Sequence, residues 1–261
     1  MNAAFADYLI PFPVLDEISW PQFLHHHGVD LSMSWALSRA GRVAAFALLT
    51  PRPLQRTRVA LVGAVPDERG CGAAAKLLDV ALTRANARRD QWVELEVFAQ
   101  NGRATKLCWS RGFKPVCALY GYAVSTSGEE CREYDYISVS KSDAVEWLEE
   151  LDAHDAGELP WLTSGPAIAA RHEVQAWRYG RAQLIFETVA GCDVSVLSLI
   201  DRDSDQQSAA HLLGALRAHY PQKALSAPPL QRKDGTAQAF EMAGWARRPY
   251  YQWLLRFPMC G

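Results

Sequence analysis

The chain has 261 residues, of which 49% are hydrophobic and 21% charged, with a formal net charge of −2. That length accommodates two domains with a core each, and the charge balance offers nothing to a polyanion, which excludes a nucleic-acid partner. No apolar run approaches the roughly 20 residues needed to span a bilayer, and residues 1–13 carry Asp7 but no Lys or Arg, unlike a secretory signal.

Residues 8–12 read as a short first strand, and residues 16–27 as a helix burying Ile18, Phe23 and Leu24. His25, His26 and His27 form its polar end; consecutive side chains diverge, so no metal site is expected there. Residues 32–39 and 43–50 read as strands joined at Ala40-Gly41, a hairpin signal. Residues 51–57 read as a loop, and 58–65 as a third strand that Pro66 ends. A helix over 76–87 has Leu77, Leu78, Ala81, Leu82 and Ala85 on one face. A strand over 91–98 leads to a helix over 102–111 stopped by Gly112, then to a strand over 114–124, a turn at Gly128 and a return strand over 133–140. A new helix with Trp147 and Leu151 follows. Strands over 173–179, 183–189 and 193–200 turn at Gly180 and Gly191. A helix carrying Leu212, Leu213 and Leu216 comes next, then a helix ending at Gly244 and a strand to Phe257. Leu77 and Leu212, like Phe113 and Trp245, stand at a near-constant offset, which suggests a duplicated unit. The boundary is expected near Lys141, giving domains over 1–140 and 141–261. Cys71, Cys108, Cys117, Cys131, Cys192 and Cys260 show no CxxC spacing, so reduced thiols in a cytoplasm are expected.

The richest segment is Arg69-Gly70-Cys71-Gly72-Ala73-Ala74, between a strand and a helix. Its glycines let successive N–H groups close on an anion, and the helix adds first-turn donors and a partial positive charge. Gly70, Gly72 and Ala75 also satisfy a dinucleotide pattern, with Glu94 or Glu96 about twenty residues on. Against that reading, Pro66 to Arg69 intervene between strand and glycine, and the preceding strands read as a meander.

Two signatures in order resemble the GNAT acetyltransferase superfamily. The first is Arg69-Gly70-Cys71-Gly72-Ala73-Ala74; the second is Leu95-Glu96-Val97 followed by Asn101, Ala104, Leu107-Cys108 and Gly112-Phe113. The resemblance covers residues 32–122, and 141–261 as a degraded copy. It implies an α/β fold with a mixed, mostly antiparallel sheet flanked by helices, in two tandem domains. It further implies acetyl transfer from acetyl-CoA to an amine of a small molecule or peptide N-terminus. The diphosphate would rest on Arg69, Gly70, Cys71, Gly72, Ala73 and Ala74. The pantetheine arm would lie in a gap beside Ala64 and Val65 and meet Asn101, which also suits an N-cap. The amide near Val65 would be the oxyanion donor.

The resemblance makes Glu96 the candidate general base, although Glu94 and Glu96 share a strand face and either suits a salt bridge. It puts Cys108 where the family has a tyrosine that protonates the leaving sulfur. Cys108 could donate weakly or through water, Tyr120 or Tyr122 could act instead, or the domain could bind acyl-CoA without turning it over. In the second copy the loop positions hold Asp201, Asp203 and Asp205 with Gln207 in place of Gly72, so no cofactor is expected there.

Overall fold

The computed structural model describes residues 1–125, 133–154, 159–188 and 193–259. The expected turns at Gly128 and Gly191, and Cys131, Cys192 and Cys260, lie outside them. Two compact units emerge, one of Met1–Val116 with Trp253–Gly261, the other Cys117–Gln252. The boundary expected near Lys141 falls inside the second unit, and the end of the chain joins the first. Long-range strand pairing places these segments, and no local signal reports it.

The first unit begins with helices α1 (Asn2–Phe5) and α2 (Ser19–His26), where Asp16 Oδ1 accepts from the amides of Ile18 and Ser19. Strands β1 (Asp30–Arg39), β2 (Arg42–Arg52) and β3 (Arg56–Ala64) follow, then helix α3 (Ala73–Ala87), strand β4 (Trp92–Phe98) and helix α4 (Gly102–Ser110). Strand β5 (Lys114–Val124) leads into the second unit. That unit continues with β6 (Ile137–Val139), α5 (Lys141–His154), α6 (Gly165–Ala169), β7 (Gln175–Tyr179), β8 (Ala182–Thr188), β9 (Val194–Asp201), α7 (Gln207–His219), β10 (Leu225–Arg232) and α8 (Ala237–Met242). Strand β11 (Ala246–Pro258) returns the chain to the first unit. No helix among the described residues is long and apolar enough to cross a membrane.

In the first unit β1, β2 and β3 are antiparallel neighbours, β4 lies parallel to β3, and the end of β11 flanks β4. Ala40 (φ 49°) and Gly41 (φ 74°) form the first hairpin turn with both residues left-handed. The second hairpin is tighter than the loop expected over 51–57: Pro51 pairs with Thr57 and Arg52 with Arg56. Pro51 is tolerated because β2 there runs beyond its last partner on β1, Asp30 opposite Leu49. One face of the sheet packs on α3 through Leu77, Leu78, Ala81 and Ala85. The other packs on α1 and α2 through Ala4, Phe5, Phe23 and Leu24. Ile18, expected in the core, is exposed. Residues 8–12 form no strand; Pro11 and Pro13 remove ladder donors, and Phe12 stacks on Phe5 at 4.6 Å instead.

The second unit repeats the pattern. β7, β8 and β9 are antiparallel, and β10 lies parallel to β9. β10 also pairs with β5, and a register shift between Ala227 and Gln231 absorbs Pro228 and Pro229. With those two prolines in it, the stretch that forms β10 carries no strand assignment from the sequence. The expected return strand over 133–140 shrinks to β6, which pairs with β7.

Candidate functional site

β3 and β4 pair only at Arg56–Trp92, Thr57–Val93 and Arg58–Glu94. Beyond Arg58 the two strands part, and α3 and α4 begin beside the gap. A cleft of about 1110 Å³ opens here, within the first unit, lined by Val62 to Ala64, by the loop glycines Gly70 and Gly72, and by Ala73 to Ala75. Asn101, Arg103, Lys106 and Leu107 of the α4 region line its other side, with Asp7 and Tyr8 of the N-terminal segment.

Gly70 (φ 81°) and Gly72 (φ 78°) are both left-handed, and a Cβ at either would meet nothing within 4 Å. Glycine is therefore needed for the backbone turn, not for want of space. Gly72 is the N-cap of α3 and supplies no side-chain hydrogen bond, so the first-turn amides receive no cap. Of the expected loop ligands, Arg69, Gly70, Gly72, Ala73 and Ala74 line the cleft, while Cys71 does not. Arg69 is already engaged. Its Nη1 and Nη2 each reach Asp7 at 2.6 Å, and Nη2 also donates to Ala4 O at 3.1 Å. Asp7 in turn is held down to about 2 by that guanidinium.

The oxyanion donor expected near Val65 is not Val65 itself, whose amide donates to Ala44 O at 2.9 Å. Alternate amides of a strand point to opposite edges, so those of Val62 and Ala64 face the edge that β4 leaves. Ala64 lines the cleft and Val65 does not. Asn101 caps α4, its Oδ1 accepting from Ala104 N at 3.2 Å, and lines the cleft at the same time.

Glu94 and Glu96 share the face opposite α3. Glu94 is fully buried and spent on Arg52, on Arg256 Nε at 3.2 Å and on Trp92 Nε1 at 3.2 Å. Glu96 takes a single ion pair, from Arg58 Nε to its Oε2 at 2.8 Å, with both side chains 4% exposed. Among the described residues its other oxygen, Oε1, is buried without a hydrogen-bond partner. That unpartnered oxygen separates Glu96 from Glu94, although Glu96, like Cys71, does not line the cleft.

Cys108 departs from expectation. Its side chain sits in the core with Leu78, Val97 and Phe113 and does not line the cleft. Burial pushes the thiol up to about 11. The alternatives Tyr120 and Tyr122 pack on the core of the second unit; Tyr122 stacks on Phe240 at 4.4 Å, and burial pushes it up to about 12. Tyr8, like Asp7, Arg103 and Lys106, is a cleft residue that sequence reasoning missed. Its segment reads as a strand by composition, and only the aromatic packing of Phe5 and Phe12 turns it onto the cleft.

A glycine loop between a strand and a helix, beside two parallel strands that part, makes a cleft whose bare amides suit an anionic group. The Acetyltransferase (GNAT) family matches residues 1–113, so the first part of the chain is similar to acyltransferases of that family. A GCN5-related N-acetyltransferase from Sphaerobacter thermophilus superposes with a TM-score of 0.65 at 15% identity, covering 98% of this chain and 90% of that one. A GCN5-related N-acetyltransferase from Anabaena variabilis does so with a TM-score of 0.60 at 14% identity, over 89% and 64% of the two chains. A tandem GNAT protein from the clavulanic acid biosynthesis pathway gives a TM-score of 0.56 at 12% identity, over 97% and 98%. At these identities the likeness concerns the fold, which is a tandem of two GNAT-like domains. A search of curated proteins finds no significant match.

Proposed function

We propose that the protein is an N-acetyltransferase that moves an acetyl group from acetyl-CoA to a primary amine of a small molecule or a peptide N-terminus. The observation that carries this reading is the loop of uncapped amides at Gly70–Ala74, opening on the gap between β3 and β4. The diphosphate fits that loop, where backbone donors and the α3 dipole favour an anion. The pantetheine arm would run along Ala64 towards Asn101, with the amides of Val62 and Ala64 as donors for a carbonyl oxygen. Glu96 takes the amine proton through Oε1, while Arg58 fixes its position. An α-amine, with a pKa of about 8, loses its proton near neutrality far more readily than a lysine at about 10.4, and so asks less of any base. A cytoplasmic setting, in which thiols such as Cys71 and Cys108 stay reduced, is part of this reading.

The test is release of CoA over a panel of amines, paired with calorimetry of acetyl-CoA binding. Binding with turnover of at least one amine is the expected result. Burial of Cys108 favours a second reading, an acyl-CoA-binding protein without turnover, which binding with no CoA release over the panel would support.

A further inference from the structure

Acyl transfer from a thioester ends with a sulfur that leaves as a thiol, so a proton is needed where the C–S bond breaks. The inference that follows rests on the acyl-transfer reading above. Few titratable side chains line the cleft. Asp7 and Glu68 are carboxylates, Arg69 and Arg103 are guanidiniums, and Lys106 stands on an exposed turn of α4. Tyr8 is the neutral O–H acid of that lining.

Tyr8 is positioned from three directions. Its ring packs edge-on against Phe98, with centroids 6.2 Å apart, and against Phe5 at 5.2 Å. Its hydroxyl meets the side chain of Asn101, the cap of α4. The preceding residue, Asp7, is gripped by both Arg69 nitrogens. Phe98 lies two residues beyond Glu96 on β4 and therefore shares its face. Tyr8 and Glu96 thus lie on one side of the sheet, Tyr8 lining the cleft and Glu96 buried against Arg58.

We propose that Tyr8 is the proton donor to the departing sulfur. The amine nitrogen forms a bond to the thioester carbonyl carbon. The C–S bond then breaks with its electron pair going to sulfur, and the Tyr8 proton follows to that sulfur. The proton that nitrogen sheds restores the phenol, so acyl-CoA and amine become amide and free CoA with Tyr8 unchanged. Burial raises the Tyr8 hydroxyl above the usual tyrosine range, with the Asn101 contact working against it. The charged groups facing it are Asp7 beside it, Glu68 and Arg69 of the loop, and Arg103 and Lys106 of α4. The hydroxyl accordingly stays protonated through the neutral range.

Tyr8→Phe keeps the ring and its packing and removes the proton. With the best amine of the panel, kcat is expected to fall on the order of 10²-fold, with an unchanged dissociation constant for acetyl-CoA by calorimetry. The alkaline limb of kcat against pH should disappear in the variant. Its defect should shrink with acyl donors whose leaving thiol is more acidic, a dependence that a purely structural role does not produce. An unchanged kcat, or a loss of acetyl-CoA affinity that accounts for the whole defect, overturns the inference. Failure of the wild type to release CoA with any amine would instead remove the acyl-transfer reading beneath it.

Discussion

At the end of β3 the chain turns through Gly70 and Gly72 and enters α3 with no side-chain cap. At the end of β9 it makes the corresponding turn through Asp201 to Gln206 and enters α7 from Gln206, also left-handed at φ 56°. Here the donors are consumed by the chain itself. Asp201 Oδ2 accepts from Ala209 N at 2.8 Å and its Oδ1 from Asp203 N at 2.9 Å, while Asp205 Oδ1 accepts from Gln207 N at 3.2 Å. Gln206 Nε2 ties the loop further to Asp203 O at 2.8 Å. The same strand–loop–helix unit thus has two uses. Where the amides are left open, they can serve a ligand's phosphate; where carboxylates of the chain fill them, they cap a helix. Both copies keep the pattern of two antiparallel pairs followed by a short parallel one. The difference lies in a few loop side chains and not in the architecture.

The largest effect that could break this comparison is expected at Gly72. Gly72→Glu places a side chain at a left-handed position and a carboxylate beside the diphosphate, so acetyl-CoA affinity should fall by about 10²-fold or more. Gln206→Gly should create no affinity in the second loop, because Asp201 and Asp205 remain. Calorimetry on both variants decides; retained binding by the first would move the cofactor away from this loop.

Glu96 gives a second contrast, since β10 carries no carboxylate at all. Glu96→Gln should lower kcat by about 10²-fold or more and, by breaking a buried ion pair with Arg58, lower stability by about 3 kcal/mol in urea unfolding. A variant with full turnover would reassign the base.

Asp201→Ala should cost about 1 kcal/mol of stability through the lost cap of α7, and leave acetyl-CoA binding as it was. A gain of binding in that variant would mean that the second loop is merely blocked by its own carboxylate.

The smallest effect concerns the N-terminal segment. Asp7 has a depressed pKa in the folded protein, so its contact with Arg69 is fully present above the unfolded value of 3.8 and is lost as pH falls through about 2. Hydrogen exchange of residues 4–9 should show protection falling across that window and not above it. Flat protection from pH 5 to 2 would show that the aromatic packing of Phe5 holds the segment alone.

Local chemistry made much of this molecule legible. Apolar spacing in residues 73–87 follows the helix repeat, the Ala40-Gly41 turn requires two left-handed residues, and Gly72 opens a helix with bare amides; each is a property of neighbours in the chain. The duplication was visible for the same reason, as a repeat of such local patterns. Tertiary structure decided what neighbours cannot. It sent the Val65 amide to Ala44, tucked Cys108 into the core, folded Pro228 and Pro229 into a bulge of β10, spent Glu94 while leaving one oxygen of Glu96 open, and laid Tyr8 along the cleft. Each of these depends on a partner distant in sequence, and the direction of a hydrogen bond or the burial of a side chain is set only when that partner arrives.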